Sequence, residues 1–181
     1  RCQNNKVPSD LQAQIDSLSA AMVPQHAEAL CDLSLVMNKG RNITVKGETN
    51  LPEAKDKVIE LLNRSGYTIN DSITVLPDTS VVKKPWGLVS VSVCNIRTRP
   101  AHKAEMATQA LMGTPVKILD NKEGWLLVQT PDSYMGWTDD PVEELSHSEL
   151  ETWKKSERLI YLKYTGVITD SNNQVVSDIV F

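Results

Sequence analysis

Residues 86–140 read WGLVSVSVCNIRTRPAHKAEMATQALMGTPVKILDNKEGWLLVQTPDSYMGWTDD. Val89, Val91 and Val93 alternate with Ser90, Ser92 and Cys94, the two-residue period of a strand with one face turned to a core. A polar, proline-containing loop follows over 95–109, and then short apolar runs at 115–119, 125–130 and 134–138. The separators, 120–124 and 131–133, carry Asp, Asn, Gly, Pro and Ser, which supply turn chemistry. Short strands with tight turns and one long loop predict a small β-barrel over 86–142. Within it, Asn95 can close its own turn, Pro100 stiffens the long loop, and Gly113 permits a positive φ ahead of Thr114-Pro115. Trp125 and Trp137 each follow a glycine; with few other large residues available, they are expected to fill the barrel ends.

Upstream, Leu11, Ile15, Leu18 and Met22 recur at helical spacing, with Ser9 and Gln12 in a capping-box pattern and Pro24 as the stop. Leu33, Leu35 and Met37, then Ile43 and Val45, alternate on either side of Lys39-Gly40, which predicts a hairpin. Pro52 suits the first turn of a second helix striped by Ala54, Val58, Leu61 and Leu62 and stopped at Gly66, and a strand is expected over 72–76. Helix, hairpin, helix and strand describe a small α+β domain over 1–76. Residues 77–85 have no hydrophobic period and read as a connection. Ser146 with Glu149 opens a connecting helix within 143–157, and from 158 onward the chain turns to β again, with a turn at 170–173.

The 181 residues are 40% hydrophobic and 23% charged, with 19 basic and 23 acidic side chains for a formal net charge of −4. A nucleic-acid-binding domain is disfavoured, because it needs a cationic surface to displace counterions from phosphates. No run approaches the roughly 20 apolar residues of a membrane helix, so no membrane span is expected. Cys2, Cys31 and Cys94 are widely spaced and lack a C-x-x-C pair; they read as thiols, with a Cys31–Cys94 bridge as the alternative. Arg1 ahead of Cys2 does not suit lipoprotein processing. His26, His102 and His147 sit in polar surroundings and read as surface residues. Cys94 with His102 is the one pairing of nucleophile and base type, although Cys94 reads as a small core residue. No motif calls for a metal or a cofactor, and none is expected.

The ordered series Val91-Ser92-Val93-Cys94-Asn95-Ile96-Arg97-Thr98-Arg99-Pro100, Ala104-Glu105, Leu111-Met112-Gly113-Thr114-Pro115-Val116, Gly124-Trp125 and Tyr134-Met135-Gly136-Trp137 resembles the first bacterial SH3-like domain of secreted NlpC-type cell-wall peptidases. Those are γ-D-glutamyl-diamino-acid endopeptidases, also called dipeptidyl-peptidase VI. From residue 158 the chain resembles the start of their second SH3-like domain, and the protein is expected to continue past Phe181. Residues 1–76 resemble the leader domain that precedes the barrels in related proteins, which implies a packing or spacing role.

In those peptidases the first SH3-like domain builds one wall of the substrate cleft beside a papain-like catalytic domain. An acidic side chain and a tyrosine of that wall recognise the free amino end of the L-Ala-γ-D-Glu stem peptide. The resemblance places the acidic role on Glu105 and the phenol on Tyr134, with Arg97 framing or bracing the loop. The Cys/His catalytic module is absent from the sequence, so no peptidase activity is expected of the chain. The implied role is that of a non-catalytic targeting and specificity region of an exported murein peptidase, located in the periplasm or cell envelope. Its partners would be the stem peptide and the catalytic domain of the same parent. The alternative is a stand-alone SH3-like interaction module that binds a protein partner or cell-wall glycan.

Overall fold

Helix α1 (Ser9–Met22) starts after Pro8 with no side-chain cap. The capping box predicted from Ser9 and Gln12 does not form, because Gln12 reaches a strand instead. Its Nε2 donates to the Leu33 carbonyl at 3.3 Å and its Oε1 accepts the Leu35 N–H at 3.0 Å. A primary amide has one donor group and one acceptor, which is what an unpaired strand edge requires. The computed structural model describes residues 7–23, 28–159 and 161–180; the expectations for Cys2, Pro24 and His26 lie outside them.

Strands β1 (Cys31–Met37) and β2 (Asn42–Thr49) form an antiparallel hairpin in which Leu35 faces Val45. Pro52 occupies the first turn of α2 (Pro52–Asn63), where a missing N–H costs nothing. The chain returns as β3 (Thr68–Val75), parallel to β2 with Ile43 opposite Ile69. This strand starts four residues before the sequence suggests. Thr68-Ile69-Asn70-Asp71 shows no alternation, and its pairing with β2 is what makes it a strand. The sheet order is β1-β2-β3. Leu11 and Ile15 of α1 and Val58 and Leu62 of α2 pack with Leu33, Leu35, Ile43, Val45 and Ile73, so both helices cover one face. Gly47, at φ +133°, lies against the Asp32 carbonyl, where any Cβ would collide.

Contacts divide the chain into Arg1–Asp78 and Thr79–Phe181. In the second unit, β4 (Trp86–Val89), β5 (Val93–Arg97), β6 (Met106–Leu111), β7 (Pro115–Lys122), β8 (Trp125–Gln129), β9 (Met135–Thr138) and β10 (Val142–Leu145) form one sheet ordered β10-β4-β7-β8-β9-β5-β6. Val89 of β4, Ile96 of β5, Ala110 of β6, Ile118 of β7 and Val128 of β8 share one buried cluster, so the sheet curls round an aliphatic interior. Its end strands, β10 and β6, do not pair with each other, and the curl stays open.

Several expectations change here. The alternating run 89–94 breaks at Ser90–Ser92 into two strands, because β4 and β5 pair with different neighbours. The loop over 95–109 shrinks to 98–105, since Met106–Leu111 pairs back on β5. Strand β10 carries two adjacent glutamates and no alternation, and its pairing with β4 is the reason it is a strand. Residues 79–85 are not a free connection, because Val82 is buried in the barrel core and the Pro85 carbonyl accepts the Ile118 N–H at 2.9 Å. One residue, Leu119, bulges from β7, so that Ile118 pairs with Val128 and Asp120 already pairs with Leu127.

Helix α3 (His147–Lys155) has a complete capping box. The Ser146 N–H donates to Glu149 Oε2 at 2.7 Å, and the Ser146 hydroxyl accepts the Glu149 N–H at 3.3 Å. Lys84 adds an ion pair to Glu149 at 3.0 Å. The β structure expected from 158 onward begins only at Thr165. Strands β11 (Thr165–Thr169) and β12 (Val175–Val180) make a separate two-stranded hairpin closed at Asp170, whose carboxylate accepts the N–H groups of Asn172 and Gln174. Leu159 and Leu162 stand exposed beside it.

Candidate functional site: one face of the curled sheet

Alternation fixes two faces. Cys94 and Ile96 of β5, Leu126 and Val128 of β8 point into the core, so Arg97, Trp125 and Leu127 lie on the opposite, outward face, where Leu127 is itself buried. Trp137 of β9 lies opposite both Arg97 and Leu127 and shares that outward face. Gly136, between them in phase, lets β9 approach β5. A Cβ there would stand 2.6 Å from the Arg97 carbonyl oxygen and 2.6 Å from Ile96 Cγ2.

The loop 98–105 leaves β5 and folds back on itself. The Thr98 N–H donates to the Glu105 carbonyl at 2.9 Å, the Ala104 N–H to the Ala101 carbonyl at 2.9 Å, and Arg97 Nη1 to the Ala104 carbonyl at 3.1 Å. Arg97 therefore braces the loop root, and Glu105 sits there with an exposed carboxylate that has no hydrogen-bond or ion-pair partner among the described residues. The loop is also held at its far end. His102 Nε2 lies 3.5 Å from Asp139 Oδ2, and its ring stands 5.1 Å from that of Trp125.

Tyr134 occupies the turn into β9. Its carbonyl accepts the Thr130 N–H at 2.9 Å and the Thr130 hydroxyl at 3.1 Å, while the side chain is 39% exposed and its phenol has no partner among the described residues. Arg97 and Glu105 are thus brought together through the loop root. Tyr134 is linked to them only through β9, where Trp137, three residues on, pairs with Arg97. No hydrogen bond or ion pair joins the side chains of the three among the described residues.

The tryptophans depart from expectation. Trp125 and Trp137 are half-buried on the outward face and do not fill the interior, which Val, Ile, Leu, Cys and Ala suffice to pack. Lys122, opposite Trp125, extends its ammonium over the Trp137 ring at 5.2 Å and pairs with the buried Asp120 at 3.0 Å. His102, Lys122, Trp125, Trp137 and Asp139 therefore form an aromatic and charged cluster that sequence reasoning missed. The two Gly-Trp pairs were the available signal. What hid the cluster was the bulge at Leu119, which decides the side on which Lys122 emerges.

Cys94 is buried with Sγ 3.2 Å from the Thr138 hydroxyl, and burial pushes its thiol pKa up, with Asp140 and Asp139 adding to the effect against the opposing hydroxyl bond. A protonated thiol in that position is not a nucleophile. His102 is engaged with Asp139 and Trp125, so the Cys94–His102 pairing does not form. Cys31 and Cys94 are both free thiols, which removes the bridge alternative. Among the described residues no group of three or more His, Cys, Asp or Glu side chains is arranged to hold a metal, and no helix is long and apolar enough to cross a membrane.

Residues 96–140 match the family of the bacterial dipeptidyl-peptidase SH3 domain. The chain thus carries an SH3-like domain, within a protein of mostly β structure with a few helices. No curated protein matches the chain. The matched SH3-like segment begins within β5 at Ile96 and ends after β9 at Asp140, so it contains Arg97, the loop 98–105, Glu105, both outward tryptophans and Tyr134.

Proposed function

We propose that the chain is a non-catalytic targeting and specificity region of an exported murein peptidase, and that its SH3-like domain forms a wall of the pocket for the free N-terminal L-Ala of stem peptides. The observation that carries this reading is the unpaired Glu105 carboxylate, held at the root of a loop braced by Arg97, inside the segment that matches the bacterial dipeptidyl-peptidase SH3 domain. A carboxylate takes a substrate ammonium, and the free phenol of Tyr134 adds a directional bond. An exposed ion pair contributes about 1 kcal/mol or less, so this wall alone binds weakly and selects only as part of a cleft completed by a papain-like catalytic domain.

The test joins the chain to an NlpC-type catalytic domain and compares free with N-acetylated L-Ala-γ-D-Glu-meso-diaminopimelate. The joined enzyme should strongly prefer the free amine, and Glu105→Gln should remove most of that preference in kcat/KM. Equal cleavage of both substrates overturns the assignment.

The half-buried Trp125 and Trp137 favour a second reading, an interaction module whose indoles stack on cell-wall glycan. Retention of the unjoined chain on peptidoglycan stripped of its stem peptides, lost in Trp137→Ala, would select it over the first.

A further inference from the structure

Between the β6–β7 turn and α3 lies an open cavity of about 530 Å³, within the usual size of a small-ligand site. It is apart from the wall just described: Leu111, which lines the cavity, is six residues along the strand from Glu105, about 20 Å in extended chain. Leu111, Met112, Pro115 and Trp153 give it apolar lining, and Leu111 is 47% exposed although it ends a core strand.

The charged side chains that line it are both cationic. The Arg158 guanidinium carbon lies 4.4 Å from the centroid of the Trp153 ring, and Nη2 donates to the Lys154 carbonyl at 3.1 Å. A stacked guanidinium pinned at one nitrogen loses little entropy when its remaining N–H groups meet a planar acceptor. Across from it the turn is fixed, because the N–H groups of Met112, Gly113 and Thr114 all go to backbone carbonyls, while the Thr114 hydroxyl has no partner among the described residues. Lys154 adds a second positive charge at the rim, already paired with Glu151 at 2.8 Å. Among the described residues no carboxylate lines the cavity, in a chain whose net charge is −4.

The geometry points to a binding site for a short peptide with a free C-terminal carboxylate. The carboxylate meets the Arg158 fork and the Thr114 hydroxyl, and an aliphatic side chain next to it covers Leu111, Met112 and Pro115. The Arg158 charge and the absence of acidic lining among the described residues favour the free acid over any neutral peptide of the same shape.

The test is a nitrogen–proton NMR titration of the chain with N-acetyl-Ala-Ile and with its C-terminal amide. The acid should shift the Trp153 indole and Gly113 amide signals, and the amide should bind at least tenfold more weakly. Arg158→Gln should lose the same tenfold for the acid, and Arg158→Lys should recover only part of it, because an ammonium cannot present a fork. Equal binding of acid and amide, unchanged binding by Arg158→Gln, or no shift at Trp153 each overturns the proposal. Trp153 shifts that follow protein concentration without any peptide assign the cavity to a second copy of the chain and overturn it as well.

Discussion

The curled sheet and the terminal hairpin are built from the same residues and meet different fates. In β5, Cys94 and Ile96 alternate with Asn95 and Arg97, and both vanish into the core. In β12, Val175 is 61% and Val176 66% exposed, and in β11 Val167 and Ile168 also face solvent. β-branched residues suffice to make a strand, but they stabilise it only where a second layer removes them from water, at about 1.5–3 kcal/mol for each fully buried side chain. The barrel supplies that layer by curling on itself, whereas two strands alone cannot. Among the described residues the hairpin is tied to its surroundings by the Ser92 hydroxyl donating to the Asp178 carbonyl, the Tyr161 hydroxyl donating to the Thr165 carbonyl at 2.7 Å and the burial of Ile179.

The contrast breaks most readily at Ile96. Ile96→Ala leaves a void among fully packed aliphatics and should cost about 4 kcal/mol in urea unfolding of the second unit; a loss under 1 kcal/mol would mean that the interior is no better packed than the hairpin. Gly136→Ala is next. Its methyl would push against the Arg97 carbonyl and Ile96, for a loss of about 2 kcal/mol, with amide shifts running from Arg97 into the loop 98–105. Shifts confined to β9 would contradict the close approach of the two strands.

A smaller effect belongs to the cap of α3, where Ser146→Ala should cost about 1 kcal/mol. Glu149 sharpens the point through pH. The Ser146 backbone N–H, the Ser146 hydroxyl and Lys84 hold its pKa down to about 2 from an ordinary 4.5. A carboxylate depressed in the folded state stabilises it fully above 4.5, and that contribution fades as pH falls towards 2. Glu149→Gln should therefore lower Tm at pH 6 and converge on the wild type near pH 2; a constant difference across that range would detach the effect from ionisation. Smallest of all is Val176→Thr in the hairpin, expected within about 0.5 kcal/mol of wild type. A larger loss would reveal a cover over the hairpin in solution.

The sequence made some elements legible and hid others for reasons that can be named. The paired alternation of Leu33 and Leu35 with Ile43 and Val45 gives the first hairpin directly, and Pro52 with the Ala54, Val58 and Leu62 stripe gives α2. Strand β10 and the first half of β3 were invisible, because partners distant in sequence make them strands while their own side chains carry no period. The same holds for the outward face. Arg97 and Glu105 can be nominated from a motif, yet the pairing of Arg97 with Trp137, and the placing of Lys122 opposite Trp125 and over the Trp137 indole, depend on register that no local pattern contains.

Leu119 illustrates how narrow that dependence is. Side chains along a strand change sides at every step, so an unbroken register over the same residues would put Leu119 opposite Leu127 and turn Asp120 and Lys122 inward, beneath the sheet and away from the tryptophans. Excising Leu119 would instead remove the irregularity and leave Asp120 opposite Leu127 and Lys122 opposite Trp125, so the ammonium would keep its place over the indole surface. The chemical character of that surface is therefore set by how one leucine is accommodated between two strands as much as by the identities of the groups it carries.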